Sequence, residues 1–184
     1  MRVLFAAHEE GWGGFLRLIR SELPEYEFVA TGSYGLESLK GFDVLIPTMA
    51  RVSREMLETN DRLRLIQQAG AGLEGVDIAA ARDLGIYVAN VPADISGNAD
   101  SVAELAIYML IGLSRDIPGM AESLSHRQMG VPLGRSLAGK TIGLVGLGGI
   151  GKALIKRLTP FNVRLAAIKR DNPSRAKEEF GLDW

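Results

Sequence analysis

The sequence contains no cysteine. A disulfide framework, a thiolate nucleophile and a cysteine-ligated zinc are therefore excluded. Histidine is scarce as well, with 2 in the chain. His8 follows the first apolar run, where loops after strands often line ligand sites. His126 sits in a glycine-rich stretch. Both read as surface side chains, and no metal is expected. Charge of one sign is also lacking: 21 basic and 22 acidic residues leave a net charge of −1. No electrostatic footprint for nucleic acid or an anionic membrane follows from that balance. The longest uncharged apolar run covers residues 105–113, well short of the roughly 20 residues a membrane span requires. The opening MRVLFAAHEE turns acidic after one short apolar run, unlike a signal peptide. These absences predict a soluble, cytoplasmic protein with neither nucleic acid nor membrane as partner.

What is present is an ordinary globular composition, 47% hydrophobic and 23% charged over 184 residues. That length suits one domain or two small ones. Short β-rich runs at residues 3–7, 28–30, 43–46, 63–67 and 86–90 alternate with helical stretches at 11–23, 53–59 and 78–84. Near-continuous apolar strands alternating with helices predict a parallel sheet covered on both faces. A longer helix is expected over residues 99–115. Ser101 and Glu104 have capping-box spacing, with Asn98 and Asp100 as alternative caps. The centre of this helix is apolar on every side, which predicts burial all round. A connection follows at 125–139. Residues 141–145 then form a strand, 146–158 a glycine-led helix and 163–168 a second strand.

Between the last strand pair lies Gly146-Leu147-Gly148-Gly149-Ile150-Gly151. This G-x-G-x-x-G follows a predicted strand and opens a helix, the context in which the pattern binds a dinucleotide. Gly146 permits the tight turn, Gly148 lets a pyrophosphate approach the backbone, and Gly151 allows close helix–strand packing. The first helical turn, with Gly149 and Ile150, offers N–H groups and a partial positive charge to the phosphates. The ribose-reading position falls at the end of the next strand, in Ile168-Lys169-Arg170-Asp171. A carboxylate there would accept from the ribose hydroxyls. Lys169 and Arg170 instead attract a 2′-phosphate. The expected cofactor is NADP or NAD, with NADP favoured, and Asp171 still within a shift of the ribose.

Three segments carry a family likeness: QQAGAGLEGVD at 67–77, NVP with NADSVAEL at 90–92 and 98–105, and LAGKTIGLVGLGGIG at 137–151. By their order and spacing, residues 65–171 resemble the D-isomer-specific 2-hydroxyacid dehydrogenases, the family of phosphoglycerate dehydrogenase and glyoxylate/hydroxypyruvate reductase. The resemblance implies an α/β fold. Residues 1–98 would form a flavodoxin-like substrate unit. Residues 99–184 would form an interdomain helix and an incomplete Rossmann β-α-β unit. It implies that the backbone of Gly70, Ala71 and Gly72 binds the carboxylate of a small 2-hydroxy or 2-keto acid. Small residues that expose N–H groups suit an anion. Ser101 matches a position near the nicotinamide, with the capping role as the other reading.

The catalytic Arg, Glu and His of the family have no counterpart in these residues, so no catalytic residue is assigned. The chain is expected to be the N-terminal part of an NAD(P)-dependent dehydrogenase, inactive by itself. The alternative is an inert remnant acting as a dinucleotide-binding or protein-interaction module. Two nucleotide-unit strands with an open edge, together with an all-apolar helix, predict a homodimer.

Overall fold

Strand β1 (Arg2–Phe5) alternates its side chains between two cores. Val3 and Phe5 join Leu16, Phe28 and Ile46 on one side. Leu4 joins Leu45, Ile66 and Leu57 on the other. A strand with apolar neighbours on both faces has no polar face to show, which is why the sequence reads as an unbroken apolar run. The other strands are β2 (Glu27–Ala30), β3 (Val44–Ile46), β4 (Leu65–Gln67) and β5 (Tyr87–Ala89). They form one parallel sheet in the order β2-β1-β3-β4-β5. This is the flavodoxin-like order. Register keeps the faces aligned, with Leu4 opposite Leu45 and Phe5 opposite Ile46. The connecting helices are α1 (Gly11–Glu22), α2 (Arg54–Leu57) and α3 (Ile78–Asp83). Ser53 and Asp77 cap α2 and α3 through their side chains. Gly85, at φ +68, turns the chain out of α3.

The structure, a computed structural model, describes residues 1–169 together with Glu178 and Phe180. It divides into two units, Met1–Pro92 and Ala93–Trp184. Segment 93–98, placed with the first unit by sequence, groups with the second. Ala99 N–H bonds to the Ala93 carbonyl at 3.0 Å, which ties the segment to the helix it precedes.

In the second unit β6 (Thr141–Val145) and β7 (Arg164–Ile168) pair in parallel, Thr141 opposite Arg164. Helix α4 (Asn98–Arg115) and helix α6 (Gly149–Leu158) pack with them, joined by α5 (Ile117–Ser125) and a 3-10 turn at Thr159–Phe161. Leu144, Leu147, Ile155, Leu158 and Leu165 make the core, with Ile107 and Leu110 of α4 against it. Arg157 of α6 bonds to Asp100 at 2.7 Å and to Glu104 at 3.1 Å on α4. The hydrogen bond to Asp100, then that to Glu104, raises the guanidinium pKa above its ordinary value. Among the described residues no helix is long and apolar enough to cross a membrane.

Four expectations change. First, α1 begins with Trp12, Gly13 and Gly14 in left-handed conformation at φ 57, 64 and 82, so right-handed helix starts at Phe15. Second, Ser101 does not cap α4. The cap is Gly97 at φ 74, which leaves Ser101 one turn inside, its hydroxyl donating to the Gly97 carbonyl at 3.4 Å. Glu104 is taken by Arg157. Third, α4 is not buried all round. Only Ala99 and Ala103 are buried, while Leu105, Tyr108, Met109 and Leu113 are more than half exposed. One face meets α6 and the core of the second unit. Fourth, α5 was not among the expected elements. Pro118 sits in its first turn, where a missing N–H costs nothing, and Asp116 caps it.

Leu45 is fully buried at the centre of the sheet. Leu45→Ala is expected to destabilise the first unit by about 3 kcal/mol. Urea unfolding should show a lower midpoint at unchanged slope.

Candidate functional site

In a parallel sheet all strand C-termini lie on one edge, and ligands bind there. The 70–72 loop follows β4 on that edge and is fastened by side chains. Gln68 donates from Nε2 to the Thr48 carbonyl at 2.9 Å, and its Oε1 accepts from Ala69 N–H at 2.9 Å. Asn90 donates from Nδ2 to the Ala71 carbonyl at 2.7 Å. Val91 N–H donates to the Gly70 carbonyl at 3.0 Å. The carbonyls of Gly70 and Ala71 are thus engaged. Among the described residues, the N–H groups of Gly70, Ala71 and Gly72 donate to no protein acceptor. Ala71 and Gly72 are exposed. A short row of available backbone donors with no carboxylate side chain bonded to it is suited to a small anion. Gln68 and Asn90 are the residues that sequence reasoning missed here. The only signal was an amide side chain directly after each of two strands.

In the second unit the glycine motif runs from the end of β6 into α6. Gly146 has φ +98, which a side-chain-bearing residue would rarely adopt. Its N–H donates to the Ile168 carbonyl at 2.8 Å, fixing the turn to β7. The sequence expectation of a helix from residue 146 is corrected on this point: α6 starts at Gly149 because the positive φ of Gly146 and the extended Gly148 form the turn. Gly148 is exposed, and nothing lies within 4 Å of where its Cβ would be. A Cβ on Gly151 would lie 2.7 Å from the Gly146 carbonyl oxygen. The α6 N-terminus has no side-chain cap. Among the described residues, the N–H groups of Gly149, Ile150 and Gly151 have no protein acceptor. Three such donors at the positive end of a helix dipole suit a phosphate.

Lys169 follows β7 directly and is half-buried. Arg170 and Asp171 lie outside the described residues. Ser101 is exposed on the first turns of α4. His8 is exposed and edge-on to Tyr34. His126 is exposed, its Nδ1 3.0 Å from the Glu122 carbonyl at the end of α5. Among the described residues no group of three or more His, Asp or Glu side chains is placed to hold a metal.

A flavodoxin-ordered sheet with a donor loop at its carboxyl edge, and a separate strand–glycine turn–helix unit, place the chain among doubly wound α/β proteins that present backbone donors to anions. The family is specific. Residues 16–176 match the D-isomer specific 2-hydroxyacid dehydrogenase, catalytic domain, and the chain belongs to this family. It is 33% identical over 171 residues to the D-3-phosphoglycerate dehydrogenase of Methanocaldococcus jannaschii, covering 90% of this chain and 32% of that protein. It is 33% identical over 159 residues to the glyoxylate reductase of Thermococcus litoralis, covering 81% of this chain and 47% of that protein. The chain thus spans about a third of the length of the first relative and just under half of the second. Its fold is similar to that of the NAD-dependent formate dehydrogenase of Staphylococcus aureus in complex with NAD. The TM-score is 0.74 at 28% identity, over 94% of this chain and 57% of that one.

The two glycines should separate in a stability measurement. Gly151→Ala forces a Cβ against a backbone oxygen and is expected to lower stability by about 1–2 kcal/mol. Gly148→Ala enters open space and should stay within about 0.5 kcal/mol of the parent. Urea denaturation of both variants checks the pair.

Proposed function

We propose that the chain serves a D-2-hydroxyacid dehydrogenase, an oxidoreductase that moves a hydride between a nicotinamide dinucleotide and a small 2-hydroxy or 2-keto acid. The observation that carries this reading is the two rows of available backbone donors, at residues 70–72 and 149–151, in a chain of this family. The first row, held by Gln68 and Asn90, binds the carboxylate of the acid. The second row binds the dinucleotide's pyrophosphate. The residues present fit such a group: Gly148 is open where a Cβ would stand, and the first turn of α6 has its N–H groups available. When bound, the dinucleotide supplies the hydride acceptor or donor. Ser101, on the α4 face that follows Gly97, is assigned to the nicotinamide end.

The reading favours NADP over NAD. Lys169 stands directly after β7, where a carboxylate would bind ribose hydroxyls and repel a 2′-phosphate. An ammonium there does the reverse. Arg170, beside it in sequence, would add to the effect. Calorimetric titration should give tighter binding of NADPH than of NADH. Lys169→Asp should move the preference toward NADH by about tenfold, which corresponds to about 1.4 kcal/mol. Gly148→Val should abolish binding of both. Tighter NADH binding by the parent chain would reject the NADP assignment.

The partner in this reading is a second copy. Leu105, Tyr108, Met109 and Leu113 on α4, with Leu124 of α5, are each more than half exposed. An apolar surface of this kind marks an association site. A two-fold contact covers it twice with the same residues. Light scattering at micromolar concentration should give twice the chain mass, and Leu113→Glu should give the monomer. A parent chain that stays monomeric while fully folded contradicts the dimer.

A further inference from the structure

Arg115 and Arg135 spring from backbone segments that touch. The Arg135 N–H donates to the Ser114 carbonyl at 2.7 Å, which ties the loop before β6 to the last turn of α4. Gly134 permits the approach: a Cβ there would stand 2.7 Å from Arg115 Cδ and 3.1 Å from Arg115 Cα. Arg115 thus lies against the residue that precedes Arg135. Both arginines line one cavity of about 190 Å³, together with Ser114 and Ser136. Phe161 gives it an apolar wall. Arg135 and the two serines also line a neighbouring cavity, to which Lys140 adds a third cation and Asp116 a carboxylate. The Asp116 carboxylate caps α5, accepting from the Gly119 N–H at 3.3 Å.

Among the described residues, Arg115, Arg135 and Lys140 form no ion pair. Arg157 of the same unit, by contrast, is held by Asp100 and Glu104. The carbonyls at the end of α4 are engaged by other donors: Leu110 by the Ser114 hydroxyl, Gly112 by the Asp116 N–H and Ser114 by the Arg135 N–H. Cations gathered without a counter-charge repel one another and gain from an anion that joins them. A guanidinium fork matches two phosphate oxygens, and serine hydroxyls add further donors. The cavity, at about 190 Å³, is smaller than the roughly 300–1,000 Å³ that holds a drug-sized ligand, so it suits one small group. It also stands apart from the glycine turn. Lys140 directly precedes β6 and Gly146 directly follows it, and the strand between them rises about 3.3 Å per residue.

We propose that the cavity between Arg115 and Arg135 is a further anion site, which binds the dianion of a phosphate monoester at the end of β6 opposite the glycine turn. Phe161 offers an apolar surface to the group that carries the phosphate. The test is an amide-shift titration of the 184-residue chain with phenyl phosphate, by nuclear magnetic resonance at pH 7.5. The Ser136, Leu137 and Ala138 amides should shift along a saturating curve, with Kd on the order of 1 mM. Phenol keeps the ring and lacks the dianion, so it should leave these amides unshifted. Arg115→Gln and Arg135→Gln should each weaken phenyl phosphate at least about fivefold. Any shifts at Gly149, Ile150 and Gly151 should stay as in the parent, because those amides report on the glycine turn alone. Both arginines are exposed, so each variant's spectrum should overlay that of the parent elsewhere. Equal shifts by phenol overturn the assignment to an anion. Phenyl phosphate shifts confined to residues 149–151 overturn the site. Shifts at 136–138 that rise without saturating, or that neither substitution weakens, also overturn it and leave the two arginines as a solvated basic surface.

Discussion

Every strand in the two sheets runs parallel to its neighbours, and the chemistry of the molecule depends on that direction. A parallel pair requires a crossover between its strands, so each strand ends at the same edge and hands the chain to a loop or a helix start. In the first unit this collects the ends of β1 to β5 on one side. In the second unit it sets the Gly146 turn and the α6 N-terminus at the end of β6. Backbone N–H groups that an antiparallel hairpin would consume in its own ladder are left available at both places.

Availability is useful only if the loop is held, and a few hydrogen bonds hold it. Gln68 and Asn90 together engage the carbonyls of Thr48 and Ala71. Each such bond contributes on the order of 1 kcal/mol net. Their larger effect is directional. With the Gly70 and Ala71 carbonyls held by Val91 N–H and Asn90, the N–H groups of Ala71 and Gly72, on the far side of the same peptide planes, face away from those partners. In the second unit a steric constraint does the same work: Gly151 lets the helix start lie against the Gly146 carbonyl. Hydrogen bonds fasten the 70–72 loop and the absence of side chains shapes the glycine turn.

Family membership leaves the substrate open. The chain is 33% identical to a phosphoglycerate dehydrogenase and 33% identical to a glyoxylate reductase, so overall identity does not choose between a phosphorylated and an unphosphorylated acid. The choice falls to a few loop side chains, because charge at the far end of a small ligand is read by whichever groups stand within a few ångströms of it. The loop after β3, next to the strand that leads into residues 70–72, carries Thr48, Met49 and Arg51.

Much of the architecture was legible in the chain itself. The strand at 141–145 lies where its apolar run ends, and the alternation of apolar runs with helical spacing was enough for a parallel sheet. The glycine motif was legible because its requirements are local: a positive φ at Gly146 and a close approach at Gly151. Other features are set by atoms distant in sequence. The left-handed start of α1 and the left-handed Thr48 do not follow from residue type, since neither Trp12 nor Thr48 favours that conformation. The apolar run of α4 predicted burial on every side, but the structure covers the face that meets α6 and leaves Leu105, Tyr108, Met109 and Leu113 exposed. Ser101 and Glu104 had the spacing of a cap, but Glu104 pairs with Arg157, 53 residues away. Gln68 and Asn90 were amides after strands until the fold brought the carbonyls of Thr48 and Ala71 to them. Local spacing determined the strands and the glycine turn. Partners far apart in sequence decided caps, exposed faces and the orientation of the 70–72 loop, because those depend on which hydrogen-bonding groups the folded chain brings within reach.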